Sequence, residues 1–229
     1  MIERWTISAA AGGLRCALLA LMAALAGATP SQAQQFSADL VRTHNGVTTA
    51  AGRLYVSGGK VRIESPDFPD GFFLIDGAEP VAYFVRPAQA VFMDARQSTV
   101  LTRLFVPVDP DNPCRQWQTM AEIAGLAEQG DWRCEAAGLE TIEASETTAY
   151  RATPSTGRAF IGWIDRSRRF PLQVRTDDGA IVTIQGIRDE RQPANLFELP
   201  NGARKFDPRS LIEQIRKSDV WVDAPRLAP

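Results

Sequence analysis

The hydrophobic and polar positions of this chain change rhythm several times, and each rhythm predicts a different kind of element. Between Arg53 and Glu64 they alternate strictly around Gly58-Gly59. A two-residue Gly-Gly turn suits the primed turns that match strand twist, so the segment predicts a β-hairpin. In that register Leu54 faces Ile63 and Val56 faces Val61 on one side, while Arg53 meets Glu64 and Tyr55 meets Arg62 on the other. A slip of one residue would spoil every pair. Further on, 71–75, 81–85 and 90–93 are nearly continuous apolar runs, separated by the turn-rich stretches 76–80 and 86–89. Short connections predict an antiparallel meander, whose second face is normally wet. Apolar residues on both faces require something to dry that second face, either a packed helix or an apolar cavity.

A helix is available over 116–128, where Trp117, Met120, Ile123 or Ala124, and Ala127 recur at helical spacing. Gly125 weakens it, Gly130 ends it, and Pro107, Pro110 and Pro113 impose an extended lead-in. Strands return at 147–151, 159–164, 171–175 and 180–184, with polar turns at 165–169 and 176–179. The stretch 208–217 predicts a short amphipathic helix, and the tail from Val222 is expected to be loose. No period of 20 to 50 residues recurs, which excludes a solenoid.

One apolar run does not belong to this scheme. Arg4 and Arg15 precede an unbroken stretch from Cys16 to Ala28, which is short for a bilayer span and of the length of a signal-peptide core. Ser31-Gln32-Ala33 puts small residues where a signal peptidase cuts, so residues 1–33 are expected to be a signal peptide cleaved after Ala33. A membrane anchor is the alternative. Cys16 lies ahead of the apolar run, where no lipidated cysteine would stand. Cleavage takes away two of the 25 basic and one of the 27 acidic side chains, and one of the three cysteines. Residues 34–229 then form a single expected domain holding Cys114 and Cys134. In an exported, oxidising setting an even cysteine count predicts a disulfide, for which loop closure supplies roughly 3 kcal/mol. Zinc is the sharper alternative, but two cysteines and a distant His44 lack its ligand spacing.

Composition narrows the chemistry. A hydrophobic fraction of 45% with 17 Gly and 15 Pro suits a folded protein, and a net charge of -2 argues against a nucleic-acid partner. The single histidine, His44, sits in the turn-like Thr43-His44-Asn45-Gly46, leaving little material for a Ser-His-Asp, Cys-His or multi-histidine metal site. No phosphate loop, zincin helix or nucleophile elbow occurs. Carboxylates could act in pairs, and Asp109 with Asp111, or Asp177 with Asp178, could meet a hard cation, although both pairs read more simply as turns. Arg166, Arg168 and Arg169 make a small basic cluster that suits a solvated turn or an anionic headgroup. No catalytic residue, metal or cofactor is expected.

Three stretches resemble the LolA-like and LolB-like periplasmic lipoprotein-carrier superfamily in kind and order. They are Phe36-Ser37-Ala38-Asp39 leading into 52–56 and 60–64, Trp163-Ile164-Asp165 followed by 170–174, and Leu196-Phe197-Glu198-Leu199-Pro200. The resemblance implies a mainly β (α+β) fold, a half-open antiparallel β-barrel with covering helices whose cavity receives acyl chains. The chain departs from the dedicated carrier by starting almost directly on its first strand and by placing its helix between the cysteines. The resulting expectation is a periplasmic, monomeric protein that binds a lipid or lipidated protein, with transient membrane contact. Candidate lining residues are Phe73, Ile75, Tyr83, Val85, Phe92, Trp117, Met120 and Trp163, of which alternation places only half inward. A partner-binding or sensory domain of the same fold, with its cavity filled by its own side chains, is the second reading. A carboxylate-based hydrolase is the third.

Overall fold

The computed structural model describes residues 34–95, 100–124, 132–155 and 158–207, all within the compact unit Gln34–Pro229. The expected signal peptide, the 208–217 helix and the tail lie outside the described residues. In chain order the elements are β1 (Gln35–His44), β2 (Val47–Ser57), β3 (Lys60–Glu64), β4 (Phe72–Asp76), β5 (Val81–Arg86), β6 (Val91–Asp94), α1 (Val100–Leu104), α2 (Pro113–Ile123), β7 (Arg133–Ile142), β8 (Ser145–Thr153), β9 (Phe160–Asp165), β10 (Phe170–Thr176), β11 (Ile181–Arg188) and β12 (Arg204–Lys205). The strands form one sheet in the order β12-β6-β5-β4-β3-β2-β1-β11-β10-β9-β8-β7. All neighbours are antiparallel except the short β12–β6 pair. The end strands β12 and β7 do not pair with each other, so the fold is a half-open β-barrel with covering helices.

Two sequential meanders, β1 to β6 and β7 to β11, are joined by the β1–β11 pair, in which Asp39 meets Gln185 and Thr43 meets Ile181. The predicted hairpin has the predicted register, Leu54 on Ile63 and Val56 on Val61. Bulges bend the sheet. One falls between Leu40 and Val41 opposite Gly52, whose φ of 149° and close approach to the Glu64 carbonyl only glycine tolerates. Another lies between Pro171 and Gln173, where a proline without an N–H costs the ladder nothing.

Curvature makes one face concave, and the main core fills it. Phe36, Leu54, Ile63 and Phe73 from the first meander meet Phe160, Ile164, Leu172 and Ile184 from the second, with Phe105, Trp117 and Met120 packed over them. Phe36 meets Phe170 edge-on at 5.4 Å across the seam between the meanders.

The second face of the central strands is dried by a different device from either expectation. Phe72, Leu74 and Val85, with Tyr83 and Phe92, pack against Phe197, Leu196 and Leu199. A single 3₁₀ turn, Ala194–Phe197, laid across the convex side therefore does what the sequence suggested a helix or a cavity would do. Arg62 closes the edge of this patch, its guanidinium 3.5 Å from the Phe72 ring centroid and bonded to the Leu196 carbonyl.

Candidate functional site

The helix of the site begins where a proline permits it. Pro113 occupies its first turn, where a missing N–H is harmless, and α2 runs to Ile123, three residues earlier at its start than the spacing predicted. Positions 114, 117, 120 and 121 share one buried face. Cys114 is disulfide-bonded to Cys134 at the start of β7, with 5.7 Å between the Cα atoms, so the helix is tied to the terminal strand of the sheet. Trp117, one turn along, is fully buried, and its indole N–H donates to the Leu104 carbonyl at 3.0 Å at the end of α1.

The benzo end of the indole comes close to β9 because Gly162 has no side chain. A Cβ there would stand 2.6 Å from Trp117 Cη2. Phe160 meets Trp117 edge-on at 5.0 Å and Trp132 at 6.0 Å, so three aromatic rings form a continuous wall. Beside this wall opens a cavity of about 530 Å³ between the concave face and the two helices. Its floor is apolar: Phe73, Leu101, Leu104, Trp117, Ala121, Trp132, Phe160, Val174 and Val182. Its mouth carries Arg42, Arg103 and Arg158 together with Asp67, Asp177 and Asp178. Arg158 and Asp177 are 3.4 Å apart. Hydrogen bonds from the Thr176 hydroxyl and the Ala180 N–H hold the Asp178 carboxyl below its usual range, so the mouth keeps this negative charge into mild acid.

Of the eight lining residues expected from sequence, Phe73 and Trp117 border the cavity. Ile75 and Met120 lie in the same concave core. Tyr83, Val85 and Phe92 belong to the convex patch under Phe197. Trp163 also faces away, packed with Ala149 and Ile161 and with the Arg175 guanidinium 5.6 Å from its ring centroid. Sequence reasoning missed Trp132 and Phe160. Both carried a signal: Trp132 lies two residues before a cysteine, and Phe160 alternates with Ile161 and Trp163 on β9.

The polar clusters singled out in the sequence are engaged in turns. Asp165, almost buried, accepts from the Ser167 hydroxyl at 2.6 Å, from the Ser167 and Arg168 backbone N–H groups, and from the Arg168 guanidinium at 2.7 Å. Burial pushes its carboxyl up, but these donors outweigh burial and hold it below the usual carboxylate range. Arg168 also grips Asp189 at 2.6 Å, and Arg166 bonds Asp111 at 2.7 Å. His44 Nε2 lies 3.3 Å from the Asp178 carbonyl oxygen. Among the described residues no three His, Cys, Asp or Glu side chains are grouped so as to hold a metal ion.

No protein-family model matches this chain, and no curated protein does either. Solved structures do. PNGF-II in its P21 crystal form is similar over 81% of this chain at a TM-score of 0.50 and 10% identity. The likeness is one of fold. This chain spans only 34% of the PNGF-II chain. MucB is similar over 76% of this chain and 60% of its own, with a TM-score of 0.40 and 16% identity. A LolA superfamily protein from Nitrosomonas europaea is similar over 74% of this chain and 91% of its own, at a TM-score of 0.33 and 13% identity.

Proposed function

We propose that residues 34–229 are an exported, periplasmic, monomeric binding protein that takes an acyl chain of a lipid or lipidated protein into the cavity beside Trp117, after removal of residues 1–33. The observation that carries this reading is the cavity itself: about 530 Å³, floored by aliphatic and aromatic side chains and rimmed by charges of both signs. That size falls within the usual range of small-molecule sites. An amphiphile matches it end for end, with its chain on the floor and its headgroup at the mouth. Each buried methylene contributes about 0.8 kcal/mol, so ten supply about 8 kcal/mol, comparable to the translational and ordering costs of binding, and a longer chain or headgroup contacts at the rim add the surplus. An apolar floor under a charged rim is the arrangement of a binding site, and binding is the activity these residues support.

Native mass spectrometry of the protein purified from an exporting cell tests the proposal, together with titration of the stripped protein with a fluorescent fatty acid. Co-purifying lipid or saturable uptake is expected. A ligand-free protein that also ignores the fatty acid refutes it.

A partner-binding role has one observation in its favour. The outer edge of β7 pairs with no strand among the described residues, and the hairpin it forms with β8 exposes Leu139. Such an edge can accept an added strand.

A further inference from the structure

We propose that the mouth of the cavity reads a zwitterionic headgroup, Arg42 taking its phosphate and Asp178 its ammonium, so that the preferred ligand is an acylated phosphoethanolamine rather than a free fatty acid. The inference rests on the acyl-binding role proposed above and goes further by naming the headgroup.

The strand that carries Arg42 aims it at the cavity. On β1 the side chains of Phe36, Ala38 and Leu40 enter the concave core, and Arg42 is next in the same alternation, where the row leaves the core and becomes exposed. Its cross-strand neighbours are Thr49 on β2 and Val182 on β11, and all three residues border the cavity. Asp178 reaches the same rim from the turn between β10 and β11. That turn is closed by the Thr176 N–H on the Ala180 carbonyl at 2.9 Å and by the Gly179 N–H on the Thr176 carbonyl at 3.0 Å.

Neither charge is consumed within the protein. Arg158 and Asp177 close on each other at 3.4 Å, but among the described residues Arg42 makes no hydrogen bond or ion pair. Asp178 accepts from the Thr176 hydroxyl at 2.6 Å and from the Ala180 N–H at 3.1 Å through one oxygen, Oδ1. Among the described residues its Oδ2 has no donor. Those two bonds, with the nearby charge of Arg42 adding to them, keep the carboxyl ionised. An open cation and an open anion on the rim of one apolar cavity are both satisfied only by a headgroup that carries both charges. The guanidinium suits a phosphate through parallel N–H donors, and an ammonium donates to the carboxylate. A lone anion gains Arg42 but meets the field of Asp178 and of Asp67 beside the cavity, and a lone amine meets that of Arg42.

The test is calorimetric titration of the stripped protein, below micelle-forming concentrations, with three amphiphiles of one chain length. Dodecanoyl lysophosphatidylethanolamine carries both charges, dodecanoyl lysophosphatidylglycerol only the phosphate, and monododecanoylglycerol neither. The wild type is expected to prefer the first over each of the others by about fivefold, the upper range for one exposed ion pair. Arg42→Gln should weaken both phospholipids by about as much and leave the monoacylglycerol unchanged. Asp178→Asn keeps an acceptor for Thr176 and Ala180, and should weaken the ethanolamine lipid while strengthening the glycerol one, opposite shifts that a merely structural role would not produce. In the wild type, with no substitution needed, raising the salt from about 0.05 M to about 0.5 M should shrink the preference. An ethanolamine lipid bound no tighter than either comparator, a preference kept by both variants, or one indifferent to salt overturns the headgroup inference. Binding of none of the three overturns the acyl-binding role itself.

Discussion

Replacing Gly162 with alanine tests the architecture of the site at its tightest point. The added Cβ would stand 2.6 Å from Trp117 Cη2 and 2.9 Å from Cζ2, whereas ordinary contact begins at 3.4 Å. The indole must move by most of an ångström, yet its N–H is bonded to Leu104 at 3.0 Å and its edge rests on Phe160. Overpacking of this kind costs about 1–3 kcal/mol. Alanine also restricts the unfolded chain more than glycine, which returns about 0.4–1 kcal/mol. The net loss is therefore about 1.5 kcal/mol, which for a domain of this size lowers Tm by about 3–6 °C. Urea unfolding followed by circular dichroism measures it without relying on tryptophan emission. The control is the Trp117→Leu background, where the clash has no partner and Gly162→Ala is expected to be neutral or stabilising. The two changes should therefore couple by more than 1 kcal/mol, as residues in contact do. A Gly162→Ala protein as stable as wild type, or one equally weakened in both backgrounds, would refute the reasoning.

Three further outcomes are expected. Cys114→Ser with Cys134→Ser loses about 3 kcal/mol by the loop-closure estimate, read by urea unfolding against the oxidised wild type, and weakens fatty-acid uptake because the helix is freed from β7. Phe197→Ala strips the convex patch at a cost of about 3–5 kcal/mol while leaving fatty-acid affinity intact, since that ring faces away from the cavity; a parallel loss of affinity would contradict the two-faced arrangement. The Asp165 carboxyl, held below its unfolded value, contributes stability that is present above about pH 4 and is lost as the pH falls through its lower folded pKa. The stability gap between wild type and Asp165→Asn should thus narrow below pH 4, and a gap constant from pH 7 to pH 3 would show that the carboxylate is not the source.

Local pattern carried the β2–β3 hairpin down to its register, because its cross-strand pairs alternate between the two faces, Leu54 with Ile63 and Val56 with Val61 on one, Arg53 with Glu64 and Tyr55 with Arg62 on the other. It carried α2 by spacing, though not its start, since a proline that forbids the middle of a helix suits its first turn. The strand β7 was illegible for the opposite reason. Its residues, rich in Glu, Ala and Gly, are exposed along nearly its whole length, and β8 alone imposes the strand. The continuous apolar runs could not say which residues point inward, so Tyr83, Val85 and Phe92 were grouped with Phe73 and Ile75. What separated them was Phe197, more than a hundred residues away in sequence, and no local periodicity reports such a contact. Trp132 escaped notice because it stands alone among polar neighbours, and its contact with Phe160 is one that no local pattern reports.

The seam between β1 and β11 has a consequence for the life of the chain before it is folded. Strand β1 is made well before the partner for its second edge, since Asp39 must wait for Gln185. Until then β1 to β6 can pair among themselves while ten residues of backbone along the outer side of β1 stay open. An open strand edge invites pairing with any neighbouring chain.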